Sequence, residues 1–320
     1  MESALNGRNE SQSNHINGTK VIEKRLNGET KDKERRMNNM KVFDSLLNEK
    51  LQIKSPRLVH INEDKFVVSH EWVENATTLE DLLQNDLKRF IDLIPNAMKY
   101  LAEINNLPTS INESKNSVVI DNTLSPLVAI SEYAYTECTG AELELFSILQ
   151  HDSDLLKGLI TKNQKVVAGV RHGDMRFDQF LVTDLNVLII VDFEEFGVGD
   201  SLTDLAGFLG SILFNTLLDV FSKASMDASS EEDVNRMFME KGEKKLMEIK
   251  PLFQQAISKY SKYNHGSIDF SVLSADIGWF ILERIISRSK FTFRLSSVDK
   301  AIAGVGRQAI VNPDSLSTFY

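Results

Sequence analysis

Asp174 follows His172 and Gly173, and an amide side chain, Gln179, comes five residues later; Asp192 stands directly behind the apolar run VLIIV. The apolar segments FLV and VLIIV flank the polar turn TDLN, so a hairpin would carry their far ends to one place. Two oxygen ligands from different strands suit Mg²⁺, which keeps several waters and binds substrate phosphates. A third carboxylate nearby, Asp174, can orient a hydroxyl and accept its proton. Together these groups are the minimum apparatus for phosphoryl transfer, where catalysis is mostly positioning and charge neutralisation. Taken singly, HGD and DFE are common, and His172 reads equally as a buried group that braces its loop. The joint arrangement, closed by GDSLTDLA, carries the information.

The elements around these residues must be supplied by a chain of 320 residues, enough for two domains or for one domain with a smaller lobe. At 42% hydrophobic and 26% charged it can bury a core. Its net charge of −10 argues against a general nucleic-acid binder, which needs a basic surface. Residues 1–60 hold 12 Lys/Arg against 8 Asp/Glu, a balance of +4, which leaves −14 for the rest. That basic start would suit a polyphosphate ligand; the plainer reading is solvation of the helix KDKERRMNNMKVF. With one cysteine, Cys138, no disulfide can form within the chain. The polar N-terminus lacks the apolar core of a signal peptide, and no run of about 18 apolar residues predicts a membrane span. The expected location is the cytoplasm.

HINGTKVIEKRL predicts a hairpin turning at Asn17-Gly18. Residues 31–50 predict a helix, with Met37, Met40, Phe43 and Leu47 at helical spacing. SPRLVHI and KFVVSHEWV predict two strands around NEDK. From Thr78 the chain turns mainly helical. EDLLQNDLKRFIDLI reads as one amphipathic segment interrupted at Pro95, residues 110–127 as a loop, and residues 224–233 as a second loop with Ser229 and Glu232 at capping-box spacing. The expected fold class is α+β: a small β-rich lobe over residues 1–75, then a larger helical lobe over residues 76–320.

The block from His172 to Asp204 resembles the aminoglycoside phosphotransferase and choline-kinase-like superfamily, whose pattern is HGDxxxxN, an apolar strand, DFE or DWE, then GDPxxDLA. The resemblance implies a bilobal, protein-kinase-like fold using ATP and Mg²⁺. It makes Asp174 the catalytic carboxylate, Asp192 the principal metal ligand and Gln179 the second, in the place of the usual Asn. Gln adds one methylene to that ligand. Arg176 sits where many relatives carry His, and reads either as a contact to the transferring phosphate or as a surface ion pair. Asp200 and Asp204 match a downstream GDxxxD element read as structural.

In the first lobe, LNGRNESQSNHINGTKVIEKRL resembles a phosphate-loop hairpin leading into the strand of the ATP-binding lysine. Gly7, Arg8 and Asn9 would lie in the loop, and Lys24 would contact the nucleotide phosphates. Glu34 is the helix partner chosen for Lys24; another register would put Met40 there. FVVSHEWVENATTL resembles the segment joining the lobes, with backbone groups of Glu71 to Val73 facing adenine. Trp72 reads as a nucleotide contact or as an interlobe aromatic.

More narrowly, GRN…VIEKRL, HGDMRFDQFLV and DFEEF…GD resemble the phosphotransferase components of class V lanthipeptide and thioamitide biosynthesis. These act on ribosomally made precursor peptides, phosphorylating Ser or Thr, and a separate lyase then eliminates phosphate to complete a dehydration. The resemblance thus implies a precursor peptide and a lyase partner. Two other readings stay open: a kinase of small-molecule hydroxyls, aminoglycoside-like or choline-like, and a pseudokinase that binds a leader peptide as a scaffold. Near the C-terminus, Arg284, Arg288 and Arg294 read as acceptor-pocket lining or as partners of acidic neighbours.

Overall fold

The computed structural model describes residues 9–47, 49–112, 127, 129–227 and 231–320. Strands β1 (Glu10–Ile16) and β2 (Thr19–Arg25) form the expected hairpin, with Asn17 and Gly18 both at positive φ in the turn. Helix α1 (Thr30–Leu46) follows, then β3 (Leu58–Asn62) and β4 (Val67–Glu71). The four strands make one antiparallel sheet in the order β1-β2-β4-β3. Met37 and Met40 of α1 close a core with Leu26 and Val68, which is why the helix stripe and the strand alternation had to agree.

Strand β5 (Ala76–Thr78) leads into α2 (Leu79–Asn85) and α3 (Leu87–Asn105). The break expected at Pro95 falls instead at Asp86. Asp86 caps the start of α3, accepting a hydrogen bond from Arg89 N at 3.1 Å, while Pro95 is carried inside α3. The sequence signal was Asn85-Asp86, side chains that compete with the helix for backbone donors. Pro95 removes one hydrogen bond, but α3 buries Phe90, Leu93, Ile94, Ala97, Met98, Leu101, Ala102 and Ile104, and that burial outweighs the loss. The loop expected over 110–127 lies mostly outside the described residues.

Helices α4 (Glu132–Glu137), α5 (Gly140–Gln150) and α6 (Ser153–Asn163) precede β6 (Ala168–Arg171). Strands β7 (Phe180–Thr183) and β8 (Leu188–Ile190) form the predicted hairpin and join β5 in the order β5-β7-β8. Strand β9 (Gly197–Asp200) pairs with β6. Then come α7 (Thr203–Asp227), α8 (Glu231–Tyr263), α9 (Phe270–Ser289) and α10 (Ser297–Val311). The loop expected over 224–233 is shorter: both helices run into it, and Ser229 lies outside the described residues.

By compactness the chain divides into Met1–Val118 with Gly169–Val198, and Val119–Ala168 with Gly199–Tyr320. This division does not follow the change from strands to helices at residue 75, because α2, α3 and the β7-β8 hairpin group with the first sheet. In the second unit, α9 and α10 approach backbone to backbone at Gly278 and Gly306; a Cβ on Gly278 would stand 2.4 Å from Gly306 O. Within α7, Thr203–Phe221 has a mean hydropathy of 1.4 and is long and apolar enough by composition to cross a membrane. Of that stretch 72% is buried inside the protein, which fits a core helix.

Candidate active site

The first unit assembles the 172–195 segment from its backbone outward. Arg171 ends β6, and the buried His172 then ties the turn together. Its Nε2 bonds Val191 O at 2.9 Å and its Nδ1 accepts from Asp174 N at 3.3 Å, a pattern met by the imidazole protonated at Nε2. His172 is thus the brace between the Asp174 loop and the residue before Asp192. Gly173 has φ +91°, and a Cβ there would lie 2.5 Å from Glu195 O. Only glycine satisfies both the conformation and the approach.

The β7-β8 hairpin does what the motif spacing requires. Phe180 pairs with Ile190, and Val191 N donates to Gln179 O at 2.9 Å, which places Gln179 beside the residue preceding Asp192. Gln179 is 5% exposed, at the end of the turn Phe177–Gln179. Asp192 itself is left-handed, φ 69°, ψ 57°, an unfavourable conformation that re-aims the chain between β8 and the turn Phe193–Glu195.

Lys24 of β2 meets Asp192 Oδ1 at 2.7 Å, with 20% and 17% of the two side chains exposed. Burial alone would raise the Asp192 carboxyl; the Lys24 ammonium, helped by Arg176, holds it below the usual carboxylate range. Asp174 keeps 38% of its side chain exposed and pairs with Arg176 Nη2 at 3.3 Å. Arg176 also reaches Asp178 at 3.1 Å. Burial opposes its charge, but Asp174, Asp178 and Asp192 together raise its affinity for the proton.

Asn9 is bound into the structure: its amide donates to Glu194 Oε2 at 2.8 Å, and its carbonyl accepts from Asn27 N at 3.2 Å. Gly7 and Arg8 lie outside the described residues. Of the linking segment, Glu71 N donates to Arg57 O and Trp72 N to Lys20 O, so two backbone donors are used within the protein. Val73 N has no protein partner among the described residues. The Lys20 ammonium lies 4.2 Å from the Trp72 ring centroid.

The expectation for Glu34 is corrected. Glu34 is exposed on α1, and Lys24 pairs with Asp192. At ~100° per residue Glu34 lies about 160° round the helix from Arg36, off the face that buries Arg36, Met40 and Phe43. Arg36 is the α1 residue that sequence reasoning missed. It is fully buried, pairs with Asp32 at 3.0 Å and Glu194 at 3.4 Å, and donates to Asn9 Oδ1 at 3.0 Å and to Asn27 O. The available signal was its position four residues before Met40, on the apolar stripe. Asn39 of the same face donates to Glu194 O at 2.9 Å, and Phe43 stacks on Phe193. Arg288 answers to Asp299 at 3.0 Å, the plainer of its two readings.

A hard divalent cation needs oxygen donors, and Asp192 with the Gln179 amide supplies oxygen only. Among the described residues no group of three or more His, Cys, Asp or Glu could hold a metal. By donor chemistry Asp192 and the Gln179 amide oxygen would be the groups to hold a hard cation such as Mg²⁺.

No protein-family model matches the chain, and no curated protein matches it. Solved structures do. Choline kinase LicA from Streptococcus pneumoniae aligns with a TM-score of 0.54 at 12% identity, covering 96% of this chain and 91% of that one. Spectinomycin phosphotransferase APH(9)-Ia, solved with ADP and spectinomycin, gives 0.52 at 11%, covering 97% and 92%. Aminoglycoside 2'-phosphotransferase-IIIa, solved with GDP, gives 0.52 at 14%, covering 97% and 92%. The fold is that of choline kinase and the aminoglycoside phosphotransferases, an α+β fold with a small antiparallel sheet toward the N-terminus and a larger helical part after it.

Proposed function

We propose that the chain is an ATP- and Mg²⁺-dependent phosphotransferase acting on a hydroxyl group. The observation that carries this is the Lys24–Asp192 pair at 2.7 Å, with the residue before Asp192 joined to Gln179 through the backbone and to the Asp174 loop through His172. Lys24 offers a cation to the nucleotide phosphates, Asp192 and Gln179 would hold the metal, and Val73 keeps a backbone donor for the base. Bound Mg²⁺ would neutralise charge on the phosphates. Asp174, its backbone fixed by His172, orients the acceptor hydroxyl and receives its proton as the oxygen bonds to phosphorus and ADP leaves. Arg176 stands where it can meet the charge of the transferring group.

The acceptor we assign is Ser or Thr of a ribosomally made precursor peptide. The motif resemblance to lanthipeptide and thioamitide phosphotransferases supports it. Phosphate is a far better leaving group than hydroxide, so a separate lyase could remove the Cα proton and expel phosphate to give the dehydroamino acid. A small-molecule hydroxyl is the second reading, favoured by the choline kinase and spectinomycin phosphotransferase that share the fold.

Calorimetric titration of ATP with and without Mg²⁺, followed by phosphate-transfer assays on peptides, choline and aminoglycosides, tests both levels. Asp174→Asn should lower kcat by about 10²-fold or more with ATP affinity kept within about twofold. Asp192→Ala should remove the Mg²⁺-dependent part of binding. Full turnover by Asp174→Asn would refute the assignment, and a folded protein that binds no ATP would point to a scaffold.

A further inference from the structure

Residues 290–296 join α9 to α10, and two of them carry rings that the fold leaves outside. Phe291 is 79% exposed and Phe293 81%, while Leu295 beside them is buried. One exposed apolar side chain is ordinary, but two nearly bare phenyl rings this close together form a patch. The backbone beneath them is fixed. Phe291 N donates to Arg288 O at 3.1 Å, Thr292 N to Ser289 O at 3.2 Å and Leu295 N to Glu144 Oε2 at 3.2 Å. Thr139 Oγ1 donates to Ser289 O at 2.8 Å, and a Cβ on Gly140 would stand 2.6 Å from Phe293 O. The chain is thus held against α5 on both sides of the rings, with no slack backbone to fold them inward. Charge surrounds them. Residues 284–300 hold five Lys/Arg against one Asp/Glu, a balance of +4, in a chain whose net charge is −10. Arg288 is answered by Asp299 and Lys300 by Glu144. Lys290 and Arg294, which bracket the rings, are exposed and make no ion pair or side-chain hydrogen bond among the described residues.

We propose that this loop is a contact for an anionic bilayer surface: Phe291 and Phe293 enter the boundary of the acyl chains, and Lys290 and Arg294 stay among the anionic head groups. With about four fifths of each Phe exposed, the second unit offers no groove around them. The occupant must therefore supply the apolar medium itself. A peptide segment, which lies in a groove that its host provides, does not meet that condition. A bilayer does, and its surface charge is opposite to that of the residues flanking the rings. This is a surface contact and not a span, and it stands apart from the phosphotransferase reading. Two rings and two unpaired cations give weak, reversible attachment, of the order of the 10⁴ M⁻¹ that a single myristoyl chain provides.

The full chain is sedimented with sucrose-loaded vesicles, either of phosphatidylcholine alone or with about a third phosphatidylserine. Wild type should pellet with the anionic vesicles, and binding should fall at least about tenfold with the neutral ones or in roughly 0.5 M salt. Phe291→Ser and Phe293→Ser should each weaken binding about tenfold, and Lys290→Glu and Arg294→Glu at least about fivefold each. The double serine variant should keep the wild-type Tm, because both rings already lie in water. Leu185→Ser removes a residue that is 87% exposed at the β7-β8 turn of the first unit, and should bind like wild type. The proposal is overturned if wild type does not pellet with anionic vesicles, or if the double serine variant pellets equally well. A loss in Leu185→Ser as large as in the Phe variants overturns it too, since adhesion would then be non-specific. So does a wild type that is dimeric by sedimentation velocity and ignores vesicles while the double serine variant is monomeric, because a second copy of the chain would then cover the rings.

Discussion

Lys24 faces Asp192 with about a fifth of its side chain in solvent, whereas Lys162 in the second unit stands between Asp200 at 3.2 Å and Asp276 at 2.5 Å, all three under a tenth exposed. Both lysines answer an aspartate of the HGD…DFE…GD block, yet their surroundings push the acids in opposite directions. Lys24 holds Asp192 below the ordinary carboxylate range despite burial. Burial, with the Asp200 charge added, pushes Asp276 up to about 8 against the pull of Lys162. One lysine thus stands between Asp200 and an acid that burial pushes well above the ordinary carboxylate range. Asp200 Oδ1 also accepts from Leu202 N at 3.0 Å, fixing the entry to α7. The buried cluster joins α6, β9 and α9, with Lys162 also lining a cavity of about 400 Å³ between α6 and α9. The first is more open, with 20% of the Lys24 side chain, 17% of Asp192 and 38% of Asp174 exposed.

The contrast can be broken most sharply at Lys162. Lys162→Met leaves two buried acids, Asp200 and Asp276, without their shared cation and should cost about 3–5 kcal/mol, read as a drop in the urea midpoint. Lys24→Met should cost less, because Asp192 stays 17% exposed and lies within the field of Arg176; equal losses would erase the distinction. Next, Gly173→Ala should cost about 1–3 kcal/mol, from its positive φ and the contact with Glu195 O, and should depress Mg·ATP binding as the Asp174 loop shifts.

The pH dependence gives a signed test. Asp276 is raised from 3.8 to about 8, so between these values the folded state holds a proton the unfolded state has lost. Its stabilisation is complete below 3.8 and is lost as pH rises through about 8. Asp276→Asn should therefore flatten the decline in stability between pH 6.5 and 8. His70, on β4, is lowered from 6.5 to about 4, first by burial and then by Lys24. Here the unfolded state binds the extra proton, so stability rises with pH from about 4 to 6.5. His70→Asn should remove that rise; urea midpoints measured every half pH unit separate the two windows.

Much of the frame was legible because it is local. Asn17-Gly18 and the alternation after it give the first hairpin, TDLN between two apolar runs gives the second, and Met37, Met40 and Phe43 give the buried face of α1. The illegible parts are those where a long-range partner overrides a local signal. Pro95 is a helix breaker by backbone chemistry, yet α3 continues because eight of its residues are buried. Glu34 was chosen for its charge, but helix phase turned it to solvent. Arg36 looked like surface, since a guanidinium is rarely buried; its burial depends on Asn9, Asn27 and Glu194, up to 158 residues away.

By itself the sequence determined the order of the main elements and the two hairpins, the second of which brings Gln179 beside the residue preceding Asp192, because strand alternation and turn chemistry act over a few neighbours. Tertiary structure alone decided which cation serves which carboxylate: Lys24 for Asp192, Arg36 for Glu194, Lys162 for Asp200 and Asp276. Charge carries no address along a chain, and only burial and distance decide which opposite charge it meets.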